Sequence, residues 1–128
     1  MKAPVWLARE AVLAVHQQLL ADFGGDSGVR DTGLLDSALG RPENKFTYES
    51  PTLFQLAAAY AYGIVKNHPF IDGNKRTGFM AAVMFLERNE CRFGAGEADA
   101  VIRTLALAAG EMTEGEYAVW LAGNSSRP

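Results

Sequence analysis

Two apolar segments, LFQLAAAYAYGIVK (53–66) and FMAAVMFL (79–86), lie on either side of one short polar stretch. Each is apolar on most sides of a helix, which is the pattern of a helix buried all round. Neither alternates between apolar and polar residues as a half-buried strand does, and the second is far too short to cross a bilayer. Further structure has to surround two such helices, so the sequence predicts an all-α fold with this pair at its centre.

An amphipathic helix is predicted near the start of the chain. Over residues 5–23, apolar side chains recur at spacings of three and four, as on one helix face: Val12, Val15, Leu19 and Phe23. Gly24 and Gly25 are expected to end this first helix. A fifth helix is predicted over residues 98–109.

A short second helix is predicted to begin at a cap on Asp31 and to end before Pro42. The polar residues 41–49 that follow are interpreted as a loop or a short flap. Ser50 and Pro51 have the residue types that favour the cap and the first turn of the third helix.

The remaining boundaries complete a bundle of about six helices. The fourth helix is expected over residues 73–89, and a sixth after Thr113, which has capping-box spacing to Glu116. Short connections between helices favour one domain. We therefore predict a single-domain helical bundle over 1–124, with a flexible C-terminal tail at 125–128.

Composition limits the class of function. The chain has 128 residues and a formal net charge of −3, which argues against a phosphate-backbone binder with a basic face, and hence against direct nucleic-acid binding. Its single cysteine, Cys91, has no partner for an internal disulfide, and it is interpreted as a bystander. With no membrane segment or signal peptide evident, we expect a cytoplasmic protein.

The polar stretch His68 to Gly78 reads HPFIDGNKRTG. If a helix starts at Gly73, its first N–H groups are unpaired and bind anions, phosphate above all. Gly73 allows close approach because it has no side chain, and three donors follow it: Asn74, Lys75 and Arg76. Cations at a helix N-terminus oppose its macrodipole, so their presence here indicates an anion site.

Two residues of the stretch have more than one reading. Asp72 is suited either to cap the helix or to hold Mg²⁺ together with phosphate oxygens. His68 is suited either to bind a carbonyl at a helix end or to take a proton from an attacking hydroxyl. Phe70 is interpreted as a core anchor, and structural roles are preferred for His16, Arg30 and Asp31. Together the stretch indicates phosphoryl or nucleotidyl transfer.

HPFIDGNKRTG resembles the Fic/Doc motif, His-x-Phe-x-Asp/Glu-Gly-Asn-x-Arg-x-x-Arg, at every specified position except the last, which is Phe79 here. The resemblance is closest to the Doc branch, and it extends to residues 16–42. It implies that His68 is the catalytic base and that Asp72 is the Mg²⁺-associated carboxylate. It also implies a phosphate-binding helix start made of Gly73, Asn74, Lys75 and Arg76, with Lys66 assisting nucleotide binding.

The missing final arginine bears on the reaction that the resemblance implies. Fic proteins that transfer AMP use this arginine to hold the outer phosphates of ATP, and Phe79 cannot do so. Doc toxins also lack it and are understood to transfer the γ-phosphate of ATP to a threonine of translation elongation factor Tu, which arrests protein synthesis. The resemblance therefore favours a protein kinase-type toxin that uses ATP and Mg²⁺.

The same resemblance implies a partner, because Doc proteins are neutralised by a small Phd-type antitoxin. The inhibitory segment that many Fic proteins carry is not evident in this sequence, which fits an external neutraliser. Two other functions remain open at this point: a Fic-type AMP transferase, and a non-catalytic co-regulator that only binds an antitoxin.

Overall fold

The computed structural model describes residues 2–127. Over this part of the chain six α-helices follow one another: α1 (Arg9–Phe23), α2 (Thr32–Tyr48), α3 (Leu53–Asn67), α4 (Asn74–Arg88), α5 (Glu97–Ala109) and α6 (Glu114–Gly123). Two short strands, β1 (Arg92–Phe93) and β2 (Ser125–Ser126), pair antiparallel. The predicted all-α bundle of about six helices is confirmed.

Helices α3 and α4 form the centre of the bundle, as their apolar sequences predicted. Helix α3 packs against α2, α4 and α6, and four of its alanines have no exposed surface: Ala57, Ala58, Ala59 and Ala61. Small side chains let neighbouring helices approach closely, and Gly78 of α4 continues this pattern. A Cβ atom added at Gly78 would lie 2.8 Å from Cγ2 of Val65 and 3.1 Å from the carbonyl oxygen of Ala61. The helix pair is therefore in tight contact just beyond the polar loop that joins it.

Helix α2 is longer than predicted. It runs from Thr32 to Tyr48 with Pro42 inside it, so the predicted end before Pro42 and the predicted loop over 41–49 are wrong. Proline removes one helix hydrogen bond, but Leu35, Ala38 and Pro42 are all buried. Their spacing of three and four residues places them on one helix face. Burial of that face outweighs the tendency of proline to end a helix.

The third helix begins two residues later than predicted. Thr52, and not Ser50, is its N-cap, because Thr52 and Gln55 satisfy each other. The Thr52 hydroxyl accepts from the N–H of Gln55 at 3.2 Å, and the Gln55 side chain accepts from the N–H of Thr52 at 2.8 Å. Two of the orphan donors at the helix start are thereby satisfied.

The tail predicted at 125–128 includes the short strand β2. Ser125 and Ser126 pair with Phe93 and Arg92 in the small antiparallel sheet, while Pro128 lies outside the described residues. Cys91 is buried and free. Within residues 2–127, none of the helices combines the length and the apolar character that a membrane span requires.

Candidate active site

The loop between α3 and α4 is bounded by two residues in the left-handed region of backbone space. Helix α3 ends at His68, with φ 52° and ψ 53°, and α4 begins after Gly73, with φ 79° and ψ 18°. Glycine adopts this conformation readily, whereas a residue with a side chain does so at a cost of about 1–2 kcal/mol. Such a conformation persists only where surrounding contacts hold it, and it is enriched at functional sites.

A second segment, residues 28–31, runs alongside the loop and holds its backbone. The N–H of Ile71 donates to the Gly28 carbonyl at 3.1 Å, and the N–H of Arg30 donates to the Pro69 carbonyl at 2.7 Å. Val29 and Phe70 form an antiparallel bridge between these bonds. The path of the loop is therefore set by a chain segment some forty positions earlier.

The side chain of Arg30 extends this contact to the end of α3. Its Nε donates to the carbonyl oxygen of His68 at 2.8 Å, and its Nη2 donates to that of Asn67 at 3.0 Å. Both carbonyls lie at a helix C-terminus, where acceptors lack partners within the helix and a positive charge is favoured.

The middle of the loop is anchored in the core. Phe70 has no exposed surface, and its ring stacks on that of His16, with centroids 3.8 Å apart and an interplanar angle of 13°. His16 is itself buried, and its Nε2 donates to the carbonyl oxygen of Asp72 at 2.8 Å. Helix α1 thus supports the loop through the imidazole ring of His16.

Asn74 is also committed to the loop. Its side chain bonds both backbone groups of Phe70, and it is 4% exposed. The side-chain amide of Asn74, which was predicted to bind phosphate, is therefore occupied by these two bonds.

Asp72 lies on the exposed side of the loop. Its Oδ2 accepts from the N–H of Asp26 at 3.2 Å, and its Oδ1 accepts from the N–H of Gly73 at 3.0 Å. A Cβ atom on Gly25 would lie 2.9 Å from Oδ2, and Gly25 has φ 121°. Position 25 therefore requires glycine for two reasons. Its φ is one that glycine adopts readily, and a side chain there would clash with the carboxylate of Asp72.

The start of α4 has the features predicted for an anion site. Within the described part of the chain, no side chain caps this helix. Lys75 and Arg76 are exposed in its first turn, and the guanidinium carbon of Arg76 lies 4.3 Å from the ring centroid of Phe23. Free N–H groups and two cations therefore face the same space.

These residues meet at one cavity of about 650 Å³. It is lined by six of the predicted site residues: His68, Asp72, Gly73, Asn74, Lys75 and Arg76. Its far wall is apolar and includes Phe79, which packs edge-on against Phe93 with centroids 5.7 Å apart. At the position of the final arginine of the motif, the cavity thus presents an aromatic ring without a donor.

Lys66 is the one predicted nucleotide-binding residue that the structure does not bring to this cavity. Its Nζ donates to the carbonyl oxygen of Ala108, at the C-terminal end of α5, at 3.2 Å. A cation is favoured at that helix end. Lys66 therefore links α3 to α5 and lies outside the cavity lining.

A second hollow, of about 360 Å³, lies between α2 and α3 and includes none of the predicted site residues. Arg41 borders it, forms an ion pair with Glu114, and holds its guanidinium carbon 4.7 Å from the ring centroid of Tyr62. The chemistry predicted for the polar stretch therefore belongs to the larger cavity.

The larger cavity combines an imidazole, a carboxylate and a helix N-terminus with two cations. An imidazole can take a proton from a hydroxyl group, and a helix N-terminus can stabilise the negative charge of a phosphoryl group. The arrangement is suited to transfer of a phosphorus-containing group to a hydroxyl.

Comparison with known proteins agrees with this geometry. A family model for the Fic/DOC family matches residues 6–86, a range that includes α1, the supporting segment 28–31 and the whole loop. The chain belongs to the Fic/Doc family. It is 34% identical to "Protein kinase doc" of Escherichia phage P1 over 84 residues, which are 65% of this chain and 67% of that protein. It is 40% identical to "Toxin Doc" of Mycolicibacterium smegmatis (strain ATCC 700084 / mc(2)155) over 92 residues, 70% of this chain and 68% of that protein. Both relatives are Doc proteins, so the chain lies in the Doc branch of the family.

Proposed function

We propose that this protein is the toxin of a toxin–antitoxin pair, and that it transfers the γ-phosphate of ATP to a threonine hydroxyl of translation elongation factor Tu. The observation that carries the proposal is the shared cavity of His68 and the α4 N-terminus. A proton acceptor and an anion site in one cavity are what phosphoryl transfer to a hydroxyl requires. Membership of the Doc branch and the name "Protein kinase doc" of one relative support the same reaction.

In this reaction the start of α4 binds the phosphates of ATP. The backbone N–H groups after Gly73 donate to phosphate oxygens, and the side chains of Lys75 and Arg76 neutralise their charge. Asn74 contributes by holding the loop in the shape that leaves this helix start open.

Asp72 is the residue that would hold Mg²⁺. Magnesium is bound in proteins through one or two carboxylates together with substrate phosphates, and Asp72 lines the cavity beside the helix start. Each of its oxygens accepts one N–H donor, which leaves acceptor capacity on both for a cation. The residue therefore fits a magnesium ion: Asp72 would hold it, and the ion would supply positive charge to neutralise the phosphates.

His68 acts as the general base. Its imidazole takes the proton from the threonine hydroxyl while the hydroxyl oxygen bonds to the γ-phosphorus, and the bond from that phosphorus to the β-phosphate oxygen breaks. The products are phosphothreonine and ADP, and His68 then releases its proton to solvent.

Phe79 favours γ-phosphate transfer over the second candidate, AMP transfer. AMP transfer needs a cation to retain the outer phosphates while the α-phosphorus is attacked. Phe79 is instead part of an aromatic cluster with Phe93 and Trp120. The positive charge of the cavity therefore lies at the α4 start and not on this wall.

A Phd-type antitoxin is the proposed neutralising partner, and the cytoplasm, where translation takes place, is the proposed location. The support for the partner is the name of the second relative, "Toxin Doc". The apolar rim of the cavity is compatible with a protein partner, because three of its large side chains are about half exposed: Phe23, Val101 and Leu105. We propose no contact of this chain with nucleic acid or membrane.

The proposal is tested by expressing the wild-type chain and His68→Ala in bacteria. We expect the wild type to stop incorporation of labelled amino acids, and mass spectrometry to find phosphothreonine in elongation factor Tu. His68→Ala should leave growth and the factor unchanged, and Arg9→Ala, in an exposed ion pair with Asp36, should behave as wild type. AMP on the factor would support the second candidate, whereas arrest by both wild type and His68→Ala would contradict a catalytic toxin.

A further inference from the structure

We propose that Arg30 is a positioning residue that fixes the imidazole of His68 in the cavity by holding its backbone in the left-handed conformation. This inference rests on the proposed function only in that it takes His68 as the general base. The contact itself is a structural feature, two hydrogen bonds from one guanidinium to two successive carbonyls.

The geometry of the contact suits an arginine. The planar guanidinium presents several donors in a rigid fork, and Nε and Nη2 reach the carbonyl oxygens of His68 and Asn67 at 2.8 and 3.0 Å. Bonds from a charged donor are stronger than those between neutral groups. Two such bonds define the orientation of the peptide planes on both sides of the His68 Cα.

His68 is the residue of the loop that most needs such support. It is not a glycine, yet its φ is 52°, and its own side chain is exposed without a hydrogen bond among the described residues. The imidazole is therefore placed by the backbone that carries it. A change of φ at this residue would swing the ring away from the cavity.

The phosphate-binding half of the site is held by other contacts. Asn74 binds the backbone of Phe70, and His16 binds the carbonyl of Asp72. The backbone N–H of Arg30 also bonds Pro69, and a side-chain substitution leaves that bond in place. Loss of the Arg30 side chain should therefore affect the position of the base and leave nucleotide binding intact.

A purely structural role for Arg30, as a helix-end contact that only adds stability, makes a different prediction. In that case its removal would lower the melting temperature without a selective change at His68. The two readings are separable because the chain contains only two histidines, His16 and His68. Each gives its own imidazole signal in the NMR spectrum of protein labelled at histidine.

The experiment compares wild type, Arg30→Ala, Arg30→Lys and the control Arg9→Ala in two measurements. In NMR we expect Arg30→Ala to move and broaden the His68 signal while the signal of buried His16 stays in place. Arg30→Lys, which keeps one charged donor, should give a smaller change, and it carries the test if Arg30→Ala fails to fold. Arg9→Ala should match wild type.

In steady-state phosphate transfer, Arg30→Ala should lower kcat by about 100-fold, the order expected for a misplacement of about 1 Å, with KM for ATP within about threefold. Arg30→Lys should recover part of the loss. The inference is overturned if the His68 signal is unmoved in Arg30→Ala, or if both histidine signals shift together. If the wild type transfers no phosphate, the proposed function fails, and the NMR comparison still decides whether Arg30 positions His68.

Discussion

The side-chain amide of Asn74 binds both backbone polar groups of Phe70: Oδ1 accepts from the N–H at 3.0 Å and Nδ2 donates to the carbonyl at 3.0 Å. An asparagine can satisfy both groups because it has a donor and an acceptor on one planar amide. This pair closes the loop between α3 and α4 on itself. The side chain of one residue predicted to bind phosphate is thus part of the scaffold.

Asn74→Asp should therefore destabilise the protein although the side chain keeps its shape. The carboxylate can still accept from the N–H of Phe70, but it faces the Phe70 carbonyl without a proton to donate. We expect a loss of about 1–3 kcal/mol in the free energy of unfolding, measured by urea denaturation. Asn44→Asp, at an exposed position of α2, should change it by less than about 0.5 kcal/mol. Equal stabilities of the two variants would contradict this role for Asn74.

Two substitutions at His68 should distinguish the effect of its strained backbone on stability from the effect of its imidazole on transfer. Both His68→Ala and His68→Gly remove the imidazole, so both should abolish transfer. Glycine adopts the left-handed conformation without the penalty that alanine incurs. His68→Gly should therefore be more stable than His68→Ala by about 1 kcal/mol, measured as a difference in denaturation midpoint at constant m. A less stable glycine variant would argue against the left-handed backbone at this position.

Gly78→Ala and Gly40→Ala should have opposite effects on stability. Both glycines lie inside helices, where alanine is intrinsically favoured by about 1 kcal/mol. A Cβ atom at Gly40 meets nothing within 4 Å, whereas one at Gly78 meets Val65 at 2.8 Å. We expect Gly40→Ala to stabilise by about 0.5–1 kcal/mol and Gly78→Ala to destabilise by about 1–3 kcal/mol. Thermal unfolding of both variants checks the sign, and stabilisation by both would contradict the close contact of α3 with α4.

Two buried tyrosines should make the fold sensitive to alkali. Burial raises the pKa of Tyr60 from 10.0 to about 12 and that of Tyr117 from 10.0 to about 12. The folded state therefore keeps both hydroxyls protonated over a pH range in which the same two hydroxyls lose their protons in the unfolded chain. The stabilisation is complete below pH 10 and is lost progressively as the pH rises from about 10 to about 12.

The measurement is the free energy of unfolding in urea from pH 8 to pH 11.5, where each pKa unit corresponds to about 1.4 kcal/mol. Tyr60→Phe combined with Tyr117→Phe should flatten the decline above pH 10, and Tyr48→Phe, at an 84% exposed side chain, should not alter it. The same slope in all three proteins would show that other groups cause the alkaline loss.

The features that sequence predicted correctly are those with a local signal. Segments that are apolar on most sides located the central helices, and Asp31 and the Thr113–Glu116 pair cap their helices as predicted. The predicted helix end before Pro42 was wrong for the same reason, because the tendency of proline to end a helix is visible in the sequence and the burial that overrides it is not.

The contacts that support the site join distant parts of the chain, and the sequence contains little signal for them. The sequence of residues 28–31 does not indicate that they pair with residues 69–71, although the glycines at 25 and 28 signal an unusual backbone there. Lys66 lies two residues before His68, but residues two apart on a helix do not face the same way. The family resemblance placed Lys66 at the nucleotide site, and the helix geometry separates it from the cavity.

The central claim is tested most directly with purified protein, Mg²⁺, elongation factor Tu and ATP labelled at either the α- or the γ-phosphate. We expect label to reach the factor only from the γ position, at a threonine, and expect none with His68→Ala. Label from the α position would make the protein an AMP transferase. Transfer from neither position, or transfer that survives His68→Ala, would contradict the assignment of this cavity as a phosphotransfer site with His68 as its base.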